Sequence, residues 1–495
     1  MGKTKALLKD TVIYGVSSIV GRFLNYLLVP IYTESMPPAS GGYGVITEVY
    51  AYTAIVLVML TFGMETTFFR FVNKDDEDAG KVFATSFTLV SMAAGAFVIV
   101  AMACLNPIST FLGHPDHPEW VASMILVTAM DAVQAILFAR LRYEHRAIRF
   151  MTLKMAFIIS NVMLNSIYFI LLPKLLPEYA AYFGHVGYAF IFNLVCTGGI
   201  MLYFVPDILR TKWSFDKALA RRMLAYTWPL FVLGVAGILN QVCDKIIFKH
   251  IYAPGNLTLA EQELGIYGAC VKIAMLMALF TQAYRFAIEP MIFGEKRQQD
   301  VTQTNVIGMK FFIISTLFGF LCVMGWLDVL RNLFIRDADY WPGLKVVPIV
   351  MVAEILMGIY FNLSFWYKLI DKTIYGAWFS LAGCAVLLGV NWFFIPEYSY
   401  MACAWAGVAG YGTCVVLSYV IGQRVNPTHY PLADMAVYVA AASVIFGIMQ
   451  LVPETWPLWL RTAVNTLLIM AYVAIFVRRD VPKEAVETIM KRFRR

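Results

Sequence analysis

The chain has 495 residues, of which 60% are hydrophobic and only 14% are charged, whereas about 25% of the residues in a typical soluble domain are charged. This composition excludes a soluble globular protein and indicates an integral membrane protein. The net charge of +7 does not indicate nucleic-acid binding, because the basic residues stand in short blocks between apolar runs rather than on one continuous surface.

Fourteen apolar runs are long enough to cross a bilayer, since a spanning helix needs about 20 residues. Their approximate limits, in chain order, are 10–34, 42–68, 82–105, 119–139, 151–172, 183–205, 223–248, 264–288, 309–330, 345–367, 374–395, 399–422, 432–452 and 457–477. The connections hold no phosphate-binding loop and no metal-ligand spacing. We therefore expect an all-α polytopic membrane protein that is not an enzyme and needs no cofactor or metal.

Most of the 39 Lys and Arg residues lie in every second connection between these runs. The positive-inside rule places those connections, and with them both termini, on the cytoplasmic side. One connection departs from the rule, because Arg331, Arg336 and Lys345 lie in a loop predicted to be outside. The ninth and tenth spans are therefore the least regular part of the predicted topology.

A short internal repeat suggests how the spans are grouped. The sequence "GYGVITEVY" from Gly42 opens the second span and "IYGACVKIA" from Ile266 opens the eighth, each with an ionisable residue four positions after the Tyr-Gly glycine, Glu48 and Lys272. An offset of six spans predicts two six-helix lobes related by a pseudo-twofold axis, residues 1–210 and 211–425. Two further helices and a basic tail, residues 426–495, complete the chain.

A polar stripe runs along the apolar first span. Tyr14, Ser18, Arg22 and Asn25 follow each other at steps of four, four and three residues, which places them on one face of a helix. A guanidinium within a spanning helix costs about 2.5 to 3.5 kcal/mol on insertion scales. Arg22 is therefore either the partner of a buried carboxylate or a cation that faces a lumen and an anionic substrate.

Several stretches resemble the bacterial polysaccharide-transport proteins, the oligosaccharide-lipid flippases of the multidrug/oligosaccharidyl-lipid/polysaccharide exporter superfamily. These are "VPIYTESM", "GYGVITEVYAY" and "GMETTFFRF" in the N-terminal part, then "LNQVCDKIIFKHI" and "LGIYGAC". The resemblance covers the whole chain in order and spacing. It implies alternating access by two lobes around a central cavity that the first, second, seventh and eighth spans line.

The resemblance also implies a function. The expected substrate is a polyprenyl-pyrophosphate-linked oligosaccharide, moved from the inner to the outer leaflet of a bacterial inner membrane for cell-surface polysaccharide such as O-antigen or capsule. A proton or sodium gradient is the expected energy source, and a polysaccharide polymerase and glycosyltransferases are the expected partners. One alternative is a cation-coupled multidrug antiporter, for which we would expect an acidic cavity because its substrates are organic cations. The other is a flippase for peptidoglycan lipid precursors.

Candidate residues follow from charge within the spans, since ionisable residues there are functional by default. For substrate binding we expect Arg22, Asn25, Asp244, Lys272 and Arg285. Asp244 matches an acidic family position or is a local partner of Lys245, which otherwise extends to the outer interface. Candidates for gating or ion coupling are Glu48, Asp131, Lys245, Glu289 and Glu354, with Glu48–Lys272 as an outer and Arg285–Glu289 as an inner pair.

Overall fold

The computed structural model describes residues 20–21, 23–24, 26–73, 77–178, 185–211, 214–294, 298–370, 372 and 374–480, without the side chains of residues 286, 287, 289–294 and 298–301. Within these ranges the chain is helical and has no β-strand. The predicted all-α membrane fold is confirmed. Residues 10–19 of the first span, together with Arg22 and Asn25, lie outside the described residues, and its end forms the helix Leu28–Ser35.

Twelve described helices are long and apolar enough to cross a membrane, and one bent pair makes a thirteenth span. In chain order they are Gly42–Val72, Ala79–Ala103, Pro118–Tyr143, Ala147–Leu175, Gly187–Arg210, Lys217–Tyr252, Leu257–Ala274 with Leu276–Gly294, Gln298–Gly325, Ala338–Leu369, Ile374–Tyr398, Tyr400–Val425, Leu432–Gln450 and Leu458–Asp480. They coincide with the predicted second to fourteenth spans, and we keep those ordinal numbers. Following the predicted topology, the end with residues 36–41 and 253–256 is the outer end, and the opposite end is the inner end.

The second and eighth spans are interrupted. The second consists of Gly42–Thr61 and Met64–Val72, which Phe62 and Gly63 separate with φ angles of 35° and 73°. Residues with positive φ end a helix, and a phenylalanine rarely adopts this conformation. The eighth span bends by 41° between Leu257–Ala274 and its second helix, at Met275. Both breaks lie within the membrane-spanning part, where helical hydrogen bonds are lost and polar groups become available.

The connection between the ninth and tenth spans is ordered rather than open. It forms the short helix Leu327–Phe334 and the 3-10 segment Ala338–Val346, which leads into the tenth span. Arg331 bonds Asp328 at 3.1 Å, and Arg336 bonds Glu34 at 3.0 Å. Two of the three basic residues that depart from the positive-inside pattern are thus engaged in ion pairs near the outer end, while the Lys345 ammonium lies 5.7 Å from the ring centroid of Tyr400.

The two halves of the chain pack tightly where the second and eighth spans cross. A Cβ atom added to Gly44 would lie 1.9 Å from the carbonyl oxygen of Glu261, and one added to Gly268 would lie 2.3 Å from Thr47 Oγ1. Only glycine allows so close an approach of two helices, a common basis of packing between membrane helices. The Tyr-Gly repeat therefore coincides with the closest contact between the halves.

The seventh span ties the halves together at the inner end. Its helix Lys217–Tyr252 has 36 residues and is about 54 Å long at 1.5 Å per residue. Near its start the Thr227 hydroxyl lies 2.8 Å from that of Thr67, and Arg222 bonds Glu77 at 2.6 Å. The start of the predicted second lobe therefore packs against helices of the first.

Candidate functional site

A central cavity of about 250 Å³ lies between the second span and the seventh, eighth, tenth, eleventh and twelfth spans. The second, seventh and eighth spans were predicted to line it, whereas the contributions of the tenth, eleventh and twelfth spans were not. Its polar and charged lining consists of Tyr43, Thr47, Tyr50, Asn240, Gln241, Asp244, Lys245, Tyr267, Lys272, Glu354 and Tyr411. Four residues expected at a site, Asp244, Lys245, Lys272 and Glu354, therefore share this cavity.

Asp244 and Lys245 form a local pair on the seventh span. Lys245 Nζ lies 3.1 Å from Asp244 Oδ1 and also donates to the Gln241 carbonyl oxygen at 3.1 Å. The Tyr267 hydroxyl donates to Asp244 Oδ2 at 2.7 Å. Asp244 is thus the local partner of Lys245, one of the two interpretations drawn from the sequence. Its negative charge is balanced within the cavity wall.

Lys272 is the cavity cation without a nearby counter-charge. Among the described side chains, no carboxylate oxygen lies within 4.0 Å of its ammonium group, in contrast to Lys245 and Lys249. Lys245, which carries a charge of the same sign, lines the same cavity. Because burying an uncompensated charge is costly, this position favours an anion in the cavity.

Glu354 of the tenth span and Tyr411 of the twelfth line the same cavity. The cavity lining therefore contains two carboxylates, Glu354 and Asp244, and two ammonium groups, Lys245 and Lys272. Asp244 is already bonded to Lys245 and Tyr267 in the cavity wall, whereas Lys272 has no carboxylate within 4.0 Å among the described side chains. Glu354 as a proton carrier stays a prediction.

The predicted pair Glu48–Lys272 is wrong for this conformation. Glu48 instead pairs with Lys249, whose Nζ lies 2.7 Å from Glu48 Oε1 and donates to the Leu112 carbonyl oxygen at 2.7 Å. Glu48 is 1% exposed and Lys249 is 5% exposed. The pair is therefore buried, and it joins the second span to the end of the seventh.

Sequence reasoning missed Lys249. A lysine near the outer end of a span ordinarily extends its ammonium group to the interface, and "KHIY" fits that pattern. The spacing of four residues from Lys245 was the available signal, because it places both lysines on the same face of the helix. That face points at the second span rather than at water.

A second contact between side chains joins the halves beside the first. His114 Nε2 lies 2.9 Å from Glu261 Oε1, which joins the loop after the third span to the eighth span. We call Glu48, Lys249, His114 and Glu261 the outer gate. The Tyr340 hydroxyl adds a bond of 2.5 Å to the Met36 carbonyl oxygen. Contacts between the halves thus seal the outer end of the central cavity.

Asp131 lies in a different cavity. This cavity of about 660 Å³ occupies the inner part of the second, fourth, fifth and sixth spans, and its charged lining is Glu65, Asp131, Arg142 and Lys154. Arg142 bonds Glu65, while the Lys154 ammonium lies 4.1 Å from the ring centroid of Phe138. Asp131 of the fourth span and Lys154 of the fifth span therefore line the same cavity, separate from the central cavity.

The remaining candidates are at the inner end or outside the described residues. Arg285 lies in the second helix of the eighth span, with its guanidinium carbon 4.1 Å from the ring centroid of Phe361. The side chain of Glu289 lies outside the described residues, so the predicted Arg285–Glu289 pair stays a prediction. The same holds for the roles of Arg22 and Asn25.

The sequence matches the family model described as "Polysaccharide biosynthesis protein" over residues 7–294, more than half of the chain. The chain belongs to this family, and the predicted relationship to the exporter superfamily is confirmed. No curated protein sequence matches the chain. The structural relatives described next are a flippase and transporters.

Three solved structures illustrate the shared fold. The lipid II flippase MurJ in an inward closed conformation has a TM-score of 0.73 and 14% identity, over 95% of this chain and 100% of that chain. An inward-facing multidrug resistance MATE transporter has a TM-score of 0.63 and 15% identity, over 81% and 94%. A transporter from Pyrococcus furiosus, described with a binding pocket of reverse polarity, has 0.58 and 15%, over 84% and 95%. At these identities the likeness concerns the fold alone.

Proposed function

We propose that this protein moves a polyprenyl-pyrophosphate-linked oligosaccharide from the inner to the outer leaflet of the bacterial inner membrane by alternating access. The observation that carries the proposal is Lys272, a cavity cation with no carboxylate within 4.0 Å among the described side chains. A pyrophosphate supplies the negative charge that this ammonium lacks. Enzymes that build and polymerise the glycan are the partners that such a step requires.

The physical task explains why the cavity mixes charge and neutral polar groups. A pyrophosphate and its sugars cannot enter hydrocarbon without losing their hydration, whereas the polyprenyl chain can stay in the bilayer. Lys272 offers charge-assisted bonds to phosphate oxygens. Asn240, Gln241 and Thr47 line the same cavity and offer bonds to sugar hydroxyls.

The closed outer end supports a cycle in which the substrate enters from the inner side. The outer gate pairs must separate before the glycan can leave on the outside, because they join spans of the two halves. We propose that the energy comes from a proton or sodium gradient, with Glu354 and Asp131 as the candidate carriers. A carboxylate can bind a proton or a sodium ion at one stage of the cycle and release it at another.

Two alternatives differ from this proposal in their substrate. An antiporter for organic cations would use cavity carboxylates, and Glu354 offers one, but Asp244 is already bonded to Lys245 and Tyr267. A flippase for peptidoglycan precursors would use the same pyrophosphate chemistry, and the MurJ fold is a structural relative. The charge of the ligand therefore distinguishes the antiporter from the two flippases. The sugar of the ligand distinguishes the two flippases from each other.

Binding by purified variants tests the role of Lys272. We expect Lys272→Gln to bind a polyprenyl-pyrophosphate oligosaccharide about tenfold to a hundredfold more weakly, since a charge-assisted bond contributes about 1.5 to 3 kcal/mol. Lys272→Arg keeps the charge and should retain part of the affinity. Lys217→Gln is the matched control, because Lys217 is exposed at the inner end of the seventh span.

Native mass spectrometry or a fluorescence titration in detergent measures these affinities. The ligand set includes the oligosaccharide lipid, the peptidoglycan precursor and an organic cation. Equal affinity of the parent protein and Lys272→Gln for the pyrophosphate lipids contradicts the role of Lys272. Tight binding of the organic cation alone favours the antiporter.

A further inference from the structure

A second basic pocket lies at the inner end of the first half of the chain, away from the central cavity. It has a volume of about 140 Å³ between the ends of the fourth, fifth and sixth spans. Its charged lining consists of Arg140, Arg146, Arg149, Arg210, Glu144 and Asp207. The proposed transport function does not use these residues.

The pocket has an excess of positive charge. Four guanidinium groups face two carboxylates, which leaves a balance of +2. Glu144 is shared, because it accepts from Arg140 Nε at 2.7 Å and from Arg146 Nε at 3.0 Å. Asp207 accepts from Arg149. Among the described residues, no carboxylate lies within 4.0 Å of Arg210, whose charge is the least compensated.

One buried donor group in the pocket also lacks an acceptor among the described groups. Arg149 Nε is buried and has no hydrogen-bond acceptor among the described groups. Its guanidinium carbon lies 5.1 Å from the ring centroid of Tyr203, and that of Arg140 lies 4.4 Å from the ring centroid of Phe83. Aromatic rings thus hold two guanidinium groups in place before any ligand arrives, which lowers the entropic cost of binding.

We propose that this pocket binds a phosphate group carried by an anion at the inner face of the membrane. The planar donors of arginine match phosphate oxygens two at a time, and a phosphate removes the charge excess and satisfies the open donor. This inference does not depend on the proposed transport substrate.

The surroundings of the pocket favour a phospholipid headgroup as the source of the phosphate. Ile148 is 66% exposed and Leu209 is 78% exposed, each next in sequence to an arginine of the pocket. Exposed apolar side chains of this size face hydrocarbon in a membrane protein. The pocket therefore lies at the boundary between lipid tails and headgroups, where basic pockets bind anionic lipids.

The experiment uses the purified full-length protein in phosphatidylcholine nanodiscs. One arm adds phosphatidylglycerol to the nanodiscs, and a second arm adds inorganic phosphate to the buffer. Retained lipid is measured by native mass spectrometry, and ligand-induced stabilisation by thermal unfolding. Arg210→Gln is the test variant, since its removal breaks no ion pair within the described residues. Arg221→Gln is the matched control, an exposed arginine at the same end and outside the pocket.

We expect the parent protein and Arg221→Gln to retain phosphatidylglycerol and Arg210→Gln to bind it about tenfold more weakly, as for one lost charge-assisted bond. Stabilisation by inorganic phosphate that Arg210→Gln abolishes supports a phosphate site with a soluble ligand instead. If neither ligand binds, or if Arg221→Gln loses as much affinity as Arg210→Gln, the pocket is not a phosphate site. Arg149→Gln provides a second variant, which we expect to weaken the binding of the same ligand.

Discussion

The buried pair Glu48–Lys249 should hold the outer end of the protein closed. Its members are 2.7 Å apart, belong to the second and seventh spans, and are almost wholly excluded from solvent. Removing one partner of such a pair strands the other charge and costs about 3 to 5 kcal/mol. We expect Glu48→Gln or Lys249→Met to impose that cost on the closed state, whereas an open outer end would let water reach the stranded group.

The expected shift is large enough to measure. At 1.4 kcal/mol per power of ten, a cost of 3 to 5 kcal/mol moves the equilibrium toward the open outer end by about a hundredfold to several thousandfold. A surface pair has a much smaller effect, about 0 to 1 kcal/mol. Lys174→Met is therefore the matched control, because Lys174 is 66% exposed and lies 3.7 Å from Glu34.

The rate at which a cysteine at the closed outer end is labelled reports the shift toward the open state. Thr47 lies where the second and eighth spans cross, so Thr47→Cys in a protein without its eight native cysteines should react slowly with an impermeant maleimide from outside. Each single variant should raise the labelling rate, and Lys174→Met should not. The double variant Glu48→Gln with Lys249→Met strands no charge and should be less open than the sum of the single effects.

Two results would refute this reasoning. The first is that Glu48→Gln and Lys249→Met label as slowly as the parent protein. The second is that the double variant shows the simple sum of the single effects, since independent sites add whereas a contacting pair does not. Either result would return Glu48 and Lys249 to a role in packing alone.

Three further predictions concern other parts of the chain. Gly44→Ala places a Cβ atom 1.9 Å from the Glu261 carbonyl oxygen and should destabilise the protein by about 1 to 3 kcal/mol; an unchanged melting temperature would contradict the close crossing. Arg22→Ala should lose most transport and Arg22→Lys only part of it, and full transport by Arg22→Ala would assign Arg22 to packing. A cysteine at Ser40 should react with an impermeant reagent from outside and one at Ser214 should not; the reverse pattern would overturn the topology.

The number and limits of the spans followed from the sequence because hydrocarbon imposes a simple rule on composition and length. The thirteen spans within the described residues agree with the predicted limits to within eleven residues at either end. The rule does not predict backbone breaks inside an apolar run, so the interruption at Phe62 and Gly63 was missed. Nothing in the residue type of Phe62 predicts its positive φ, because a phenylalanine rarely adopts this conformation.

The site was predicted in part for a different reason. Charge in an apolar run identified Asp244, Lys272 and Glu354, since placing each charge within the membrane costs free energy and indicates a functional role. The helical period gives the face of each helix but not the neighbour that the face meets. Glu48 was therefore assigned the wrong partner, and Asp131 was grouped with residues that line a separate cavity. Pairing across helices is decided by the packing of the whole bundle.

The measurement that tests the central claim most directly is transport by the purified protein alone. Vesicles are made with this protein and a fluorescent polyprenyl-pyrophosphate oligosaccharide, an ion gradient is applied, and an impermeant reagent quantifies the glycan that has crossed to the other leaflet. The account predicts crossing that requires the protein and that Lys272→Gln reduces about tenfold or more while Lys217→Gln does not. Vesicles in which the glycan crosses no faster than without the protein, while an organic cation is exchanged, would contradict it.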